Sequence, residues 1–123
     1  SMQGSAITSI RIEGITHEFT NINGVTEDVL DIMLNLKGVV LKADSDEPQI
    51  LRLDVERAGS VTAGDIEANA EVRVINPDWH ICTLSEGGSL HAELTVESGK
   101  GYVPADHHGT RSVDTLPLDA SFM

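Results

Sequence analysis

The sequence predicts a small β-rich domain carrying one principal amphipathic helix, and three observations predict it. Residues 49–56 and 90–97 alternate between apolar and polar side chains, the period of a half-buried strand. Val25, Val29, Ile32, Met33 and Leu36 fall instead on one stripe at helical spacing. Only four of the 123 residues are aromatic (Phe19, Trp79, Tyr102, Phe122), so the core must be built from Ile, Val and Leu, residues that suit strands. This length suits one compact domain, which buries about 65 to 70% of its unfolded surface.

Residues 1–5 have neither the basic start nor the apolar stretch of a signal peptide and are taken as a lead-in to a single domain over 6–123. In residues 6–13, Ile10 and Ile12 alternate with Ser9, Arg11 and Glu13, which predicts a strand ended by Gly14. Residues 16–20 predict a second short extended piece with Phe19 inward, followed by turn formers over 21–24. Thr26 is expected to cap the helix. Glu27 and Asp28 then sit in its first turn, at the positive end of the dipole, with Lys37 in the last turn and Gly38 as C-cap. The opposite face carries Asp31 and Asn35 between Glu27 and Lys37, polar and available to a partner.

Residues 39–42 predict a strand, 43–48 an acidic loop and 49–56 a strand, together resembling a hairpin. Residues 58–69, rich in Gly, Ser, Thr and Asp, predict an ordered loop around Val61 and Ile66. Residues 72–75 and 79–84 predict strands separated by Asn76 and Pro77. Gly87 and Gly88 predict a hairpin joining the second of these to the strand at 90–96. Beyond Gly99 the chain is loop-like until a short apolar close at Leu116, Leu118 and Phe122.

Twenty Asp and Glu against eight Lys and Arg give a net charge of −12. A phosphate backbone would be repelled, which argues against direct nucleic-acid binding. One cysteine forms no internal disulfide, and no apolar run approaches the ~18 residues that cross a bilayer. A soluble, cytoplasmic chain with no membrane contact is expected.

Candidate chemistry is sparse. His80 and Cys82 stand two apart on a predicted strand and would share a face, but a structural zinc site needs about four ligands and the rest are missing. Asp106, His107 and His108 form a denser polar cluster, and a small metal-dependent enzyme or sensor using this loop, with His80, is the alternative function. Gly99, Lys100 and Gly101 lack the glycine spacing, the following Ser or Thr and the helix N-terminus of a phosphate loop. No nucleophile elbow or paired catalytic acid is present, so no catalytic residue, metal or cofactor is assigned.

The order of motifs is more specific. Residues 6–14, His17, Glu18 and Phe19, then Gly24, Val25, Thr26, Glu27 and Asp28 lead into Asp31, Ile32, Met33, Leu34, Asn35, Leu36, Lys37 and Gly38. Residues 61–66, Asn76, Pro77, residues 80–84, Gly99, residues 101–105 and residues 116–120 continue the series. The whole resembles the bacterial DNA-directed RNA polymerase alpha subunit, over the insert domain of its amino-terminal assembly region. The resemblance implies an α+β fold, with a mixed, mainly antiparallel sheet and the helix packed against it. It implies a non-catalytic assembly domain, excised from a longer subunit, that docks onto the large catalytic beta or beta-prime subunits. A second alpha subunit would be met only through a dimerisation domain that is absent here, as is the carboxy-terminal DNA-binding domain. Glu27, Asp28, Asp31, Asn35 and Lys37 are the expected partner-facing residues. Tyr102 and Val103, stopped by Pro104, are candidates for an apolar part of the same patch. The loop over 106–115 is shorter and less acidic than in some relatives, so no activator contact is carried onto this chain.

Overall fold

A computed structural model describes residues 2–99 and 114–118. Strand β1 (Gln3–Ile12) is followed by helix α1 (Val29–Leu36), then β2 (Leu41–Ala43), β3 (Gln49–Val55) and β4 (Gly59–Thr62). A single 3-10 turn (Ala63–Asp65) precedes β5 (Val72–Val74), β6 (His80–Leu84), β7 (Leu90–Ser98) and β8 (Leu116–Pro117). A six-stranded sheet runs β3-β7-β1-β2-β5, with β8 also on β1, and β4 pairs β6 in a separate two-stranded sheet. Every strand pairing among the described residues is antiparallel.

The alternating runs put Leu51, Leu53 and Val55 of β3 and Leu90, Ala92, Leu94 and Val96 of β7 into one core. On β1 the inward residues are Ile7, Ile10 and Ile12, an uneven spacing made possible by a bulge between Ile7 and Ser9. An eight-residue helix is marginal alone, so packing decides its existence. Val29, Ile32, Met33 and Leu36 are all buried, and each such side chain contributes about 1.5–3 kcal/mol.

Several local expectations change. β1 starts at Gln3, because residues 3–5 pair with β2, so part of the stretch taken as a lead-in belongs to the sheet. The helix cap is Asp28, not Thr26. The Asp28 Oδ1 accepts the Asp31 N–H at 2.8 Å. Val25 and Thr26 are held off the helix because Val25 bridges Leu84 and the Thr26 N–H bonds the Thr83 carbonyl at 2.9 Å. Residues 17–19 form bends, and no extended piece forms over 16–20. They find no strand partner, and Phe19 points outward, 77% exposed.

Neither expected hairpin forms. β2 lies between β1 and β5 while β3 pairs β7, and β6 pairs β4 rather than β7. The turn after β6 instead brings Gly88 against Gly24, whose φ of +80° and whose contact with the Gly88 backbone leave no room for a Cβ. The 58–69 segment contains β4 and the 3-10 turn. Its one strongly inward strand residue, Val61, supplies no periodicity, and pairing with β6 makes the strand.

Candidate functional site

β4 occupies one edge of β6, and the segment around α1 occupies the other. Beyond the Thr26 bond, the Thr83 N–H donates to Glu27 Oε1 at 2.7 Å, and Asn35 Nδ2 donates to the Ile81 carbonyl at 2.9 Å. Two side chains thus stand in for a neighbouring strand and satisfy peptide groups that would otherwise lack partners. The indole N–H of Trp79 donates to the Asn35 carbonyl at 2.7 Å, with the ring lying over Gly38, where a Cβ would overlap it. Asn76 completes the grip on the helix exit. Its Oδ1 accepts the Val40 N–H at 2.8 Å and its Nδ2 donates to the Gly38 carbonyl at 2.9 Å.

The polar helix residues therefore divide. Glu27 and Asn35, expected to lie open to a partner, are half-buried against β6, because that strand's outer edge needs a donor and an acceptor. Asp28 is the cap. Asp31 and Lys37 are exposed, and Asp28 beside it holds the Asp31 carboxyl above its ordinary value, helped by partial desolvation. Burial pushes the Glu27 carboxyl up, but hydrogen bonds from His80 and the Thr83 amide together outweigh it and leave Glu27 below its ordinary value. Tyr102, Val103, Asp106, His107 and His108 lie outside the described residues.

The remaining flank of the helix carries what sequence reasoning missed. Leu30 and Leu34, four apart and therefore neighbours on the helix surface, are exposed. Exposed Phe19 belongs to the same region: a cavity of about 490 Å³ is lined by Glu18, Phe19, Thr20, Asn21, Asp28 and Leu30. The signal was present as two leucines left off the buried stripe, which an amphipathic surface helix would not need.

One constellation invites a catalytic reading. Ser60 Oγ lies 2.8 Å from His80 Nδ1, and His80 Nε2 lies 3.0 Å from Glu27 Oε2. Acyl transfer also needs oxyanion donors aimed into a water-excluded cleft, whereas Ser60 and His80 stand exposed on the surface. The array acts as a tie joining β4, β6 and the helix lead. His80 and Cys82 do not share a face, since the β4–β6 register shift turns His80 outward and leaves both Ile81 and Cys82 buried. Burial, with the charges of Glu27 and Asp65, pushes the Cys82 thiol up to about 12, so it is no thiolate ligand at neutral pH. Among the described residues no group of three or more His, Cys, Asp or Glu could hold a metal ion. No described helix is long and apolar enough to cross a membrane.

The chain is thus an antiparallel α+β domain that turns Glu27 and Asn35 inward and leaves Leu30 and Leu34 as an exposed apolar flank on its helix. The family model described as the RNA polymerase Rpb3/RpoA insert domain matches residues 10–123, and the chain belongs to that family. It is 52% identical over 124 residues to the DNA-directed RNA polymerase subunit alpha of Symbiobacterium thermophilum, covering 99% of this chain and 39% of that protein. It is 54% identical over 120 residues to the subunit of the same name from Corynebacterium diphtheriae, covering 97% of this chain and 36% of that protein. The chain thus spans well under half the length of these relatives.

Proposed function

We propose that this chain is a non-catalytic assembly domain of a DNA-directed RNA polymerase alpha subunit, docking onto the large beta or beta-prime subunit during assembly in the cytoplasm. Residues 6–123 are read as an insert within a longer subunit, whose dimerisation and DNA-binding parts lie elsewhere in it. The observation that carries the reading is the apolar flank of α1, where Leu30 and Leu34 stand exposed near Phe19, in a chain of this family. Desolvating that flank supplies affinity, while Asp31 and Lys37 at its rim steer and orient the approach. Asp28, Glu27 and Asn35 hold the helix in place for docking. Tyr102 and Val103 remain proposed members of the patch. The net charge of −12 argues against direct contact with nucleic acid.

Co-purification of this chain with each large polymerase subunit tests the reading. One of them should retain it. Leu34→Asp should weaken retention by about tenfold or more, the loss typical of a buried interface anchor, without lowering thermal stability. Lys37→Glu should make a smaller, salt-sensitive change. Retention by neither subunit would reject the function, and undiminished retention of Leu34→Asp would reject the surface.

A further inference from the structure

β5 is the outermost strand on the β2 side of the large sheet. Its register places Lys42 opposite Arg73, and the ladder continues with the Ile75 N–H on the Val40 carbonyl at 2.8 Å and the Asp44 N–H on the Glu71 carbonyl at 2.9 Å. Antiparallel ladders alternate bonded and non-bonded pairs, so Val72 and Val74 turn their peptide groups away from β2. Asn69 Oδ1 takes the Val72 N–H at 3.0 Å. The Val72 carbonyl and both peptide groups of Val74 meet no partner among the described residues. The opposite edge of the sheet is treated differently. There the Glu67 N–H bonds the Arg52 carbonyl of β3 at 2.9 Å, an isolated bridge that covers the strand.

Side chains on the open edge point to its occupant. Arg11, Arg52 and Arg57 are each paired with a carboxylate, of Glu93, Asp54 and Asp65 respectively. Lys42 and Arg73 face each other across the ladder with no carboxylate of the described residues in ion-pair reach, although the chain carries 20 acids. Like charges directly opposite destabilise a sheet, and an incoming acid would reverse that effect. Ile75, two residues from Arg73 and so on the same face, is exposed.

We propose that the β5 edge accepts an extended acidic segment of a partner protein as an added antiparallel strand. An Asp or Glu of that segment would lie opposite Arg73 and an apolar residue opposite Ile75. The residue opposite Val74 would exchange both peptide hydrogen bonds with it, and the Val72 carbonyl would accept another. No residue of the helix surface takes part, so the two surfaces stand or fall separately.

The test uses the 15N-labelled chain with a short synthetic peptide containing Val-Thr-Glu-Thr, which in antiparallel register sets its Val opposite Ile75 and its Glu opposite Arg73. Saturating peptide should slow hydrogen exchange at the Val74 amide by about tenfold or more, because a newly bonded N–H must open before it exchanges. Arg73→Glu should weaken binding by about fivefold or more. Arg73 is exposed, so unchanged thermal unfolding of that variant ties the loss to the edge. A peptide with Lys in place of Glu, and one with Pro at its centre, should both bind weakly, and the second result does not depend on any change to the domain. An unprotected Val74, equal binding of the Lys peptide, or indifference to Arg73→Glu would overturn the proposal. So would sedimentation of the chain alone as a dimer with Val74 already protected, which would give the edge to a second copy.

Discussion

Replacing Glu27 by Ala separates a residue that holds the fold from one that merely decorates a surface. Its side chain is only 19% exposed and accepts three hydrogen bonds or contacts: from the Thr83 amide at 2.7 Å, from the Thr83 hydroxyl at 3.3 Å, and from His80 at 3.0 Å. The truncated side chain leaves the Thr83 N–H facing away from β4 without its acceptor. A hydrogen bond to a charged acceptor contributes ~1.5–3 kcal/mol, and the His80 pair adds little because that ring is exposed. The expected loss is about 2 kcal/mol, or roughly 8 °C in Tm for a domain of this size. Circular dichroism melts at pH 7 and urea unfolding followed by Trp79 fluorescence measure it. Glu27→Gln keeps an oxygen for the Thr83 amide and should lose about half as much. The depressed pKa of Glu27 adds a signature. Its contribution is complete above the ordinary carboxylate value and disappears as pH falls through the lower folded value, so Glu27→Gln should flatten the acid limb of the stability profile. A change below ~0.5 kcal/mol for Glu27→Ala, the usual result at a solvated surface position, would refute the edge-capping role.

Asp28→Ala removes the side-chain acceptor of the Asp31 N–H and should cost about 1 kcal/mol in urea unfolding, where Thr26→Ala should not show the loss of a helix cap. Gly38→Ala places a Cβ inside the Trp79 ring's position. It should destabilise by ~1–3 kcal/mol and shift Trp79 emission to the red as the indole leaves the Asn35 carbonyl. The hydrogen bond to Asp54, with the charges of Asp54 and Glu56, raises the pKa of His91 above its ordinary 6.5. Stability from that pair is therefore complete below 6.5 and declines as pH climbs through the folded value, and His91→Gln should abolish the slope. A slope of the opposite sign in the parent chain would contradict the assigned pairing.

Much of the local structure was legible. The alternation at Leu51, Leu53 and Val55 and at Leu90, Ala92, Leu94 and Val96 reports the inward face of each strand, because side-chain direction in a strand depends only on residue parity. The helix stripe was legible for the same kind of reason. The helix start was not. Asp28 and Thr26 are both good caps by chemistry, and the choice between them rests on Thr26 being hydrogen-bonded to Thr83, a residue far along the chain. The outward Phe19 shows the limit of reading burial from hydrophobicity alone, since nothing in the residue type says that the loop finds no strand to join.

The candidate site divides along the same line. That the helix would carry Glu27, Asp31, Asn35 and Lys37 away from its apolar stripe follows from angular spacing, and so does the pairing of Leu30 with Leu34. Which of these faces water depends on what packs beside the helix. β6 takes Glu27 and Asn35 because its edge peptides need partners, and it thereby leaves the leucines outside. By itself the sequence determined composition, periodicity and the family signature, all properties of short stretches read in order. The tertiary structure alone decided which strands became neighbours, which edges closed and which stayed open. Those outcomes turn on hydrogen-bond partners supplied by residues distant in the chain, and local propensity holds no record of them.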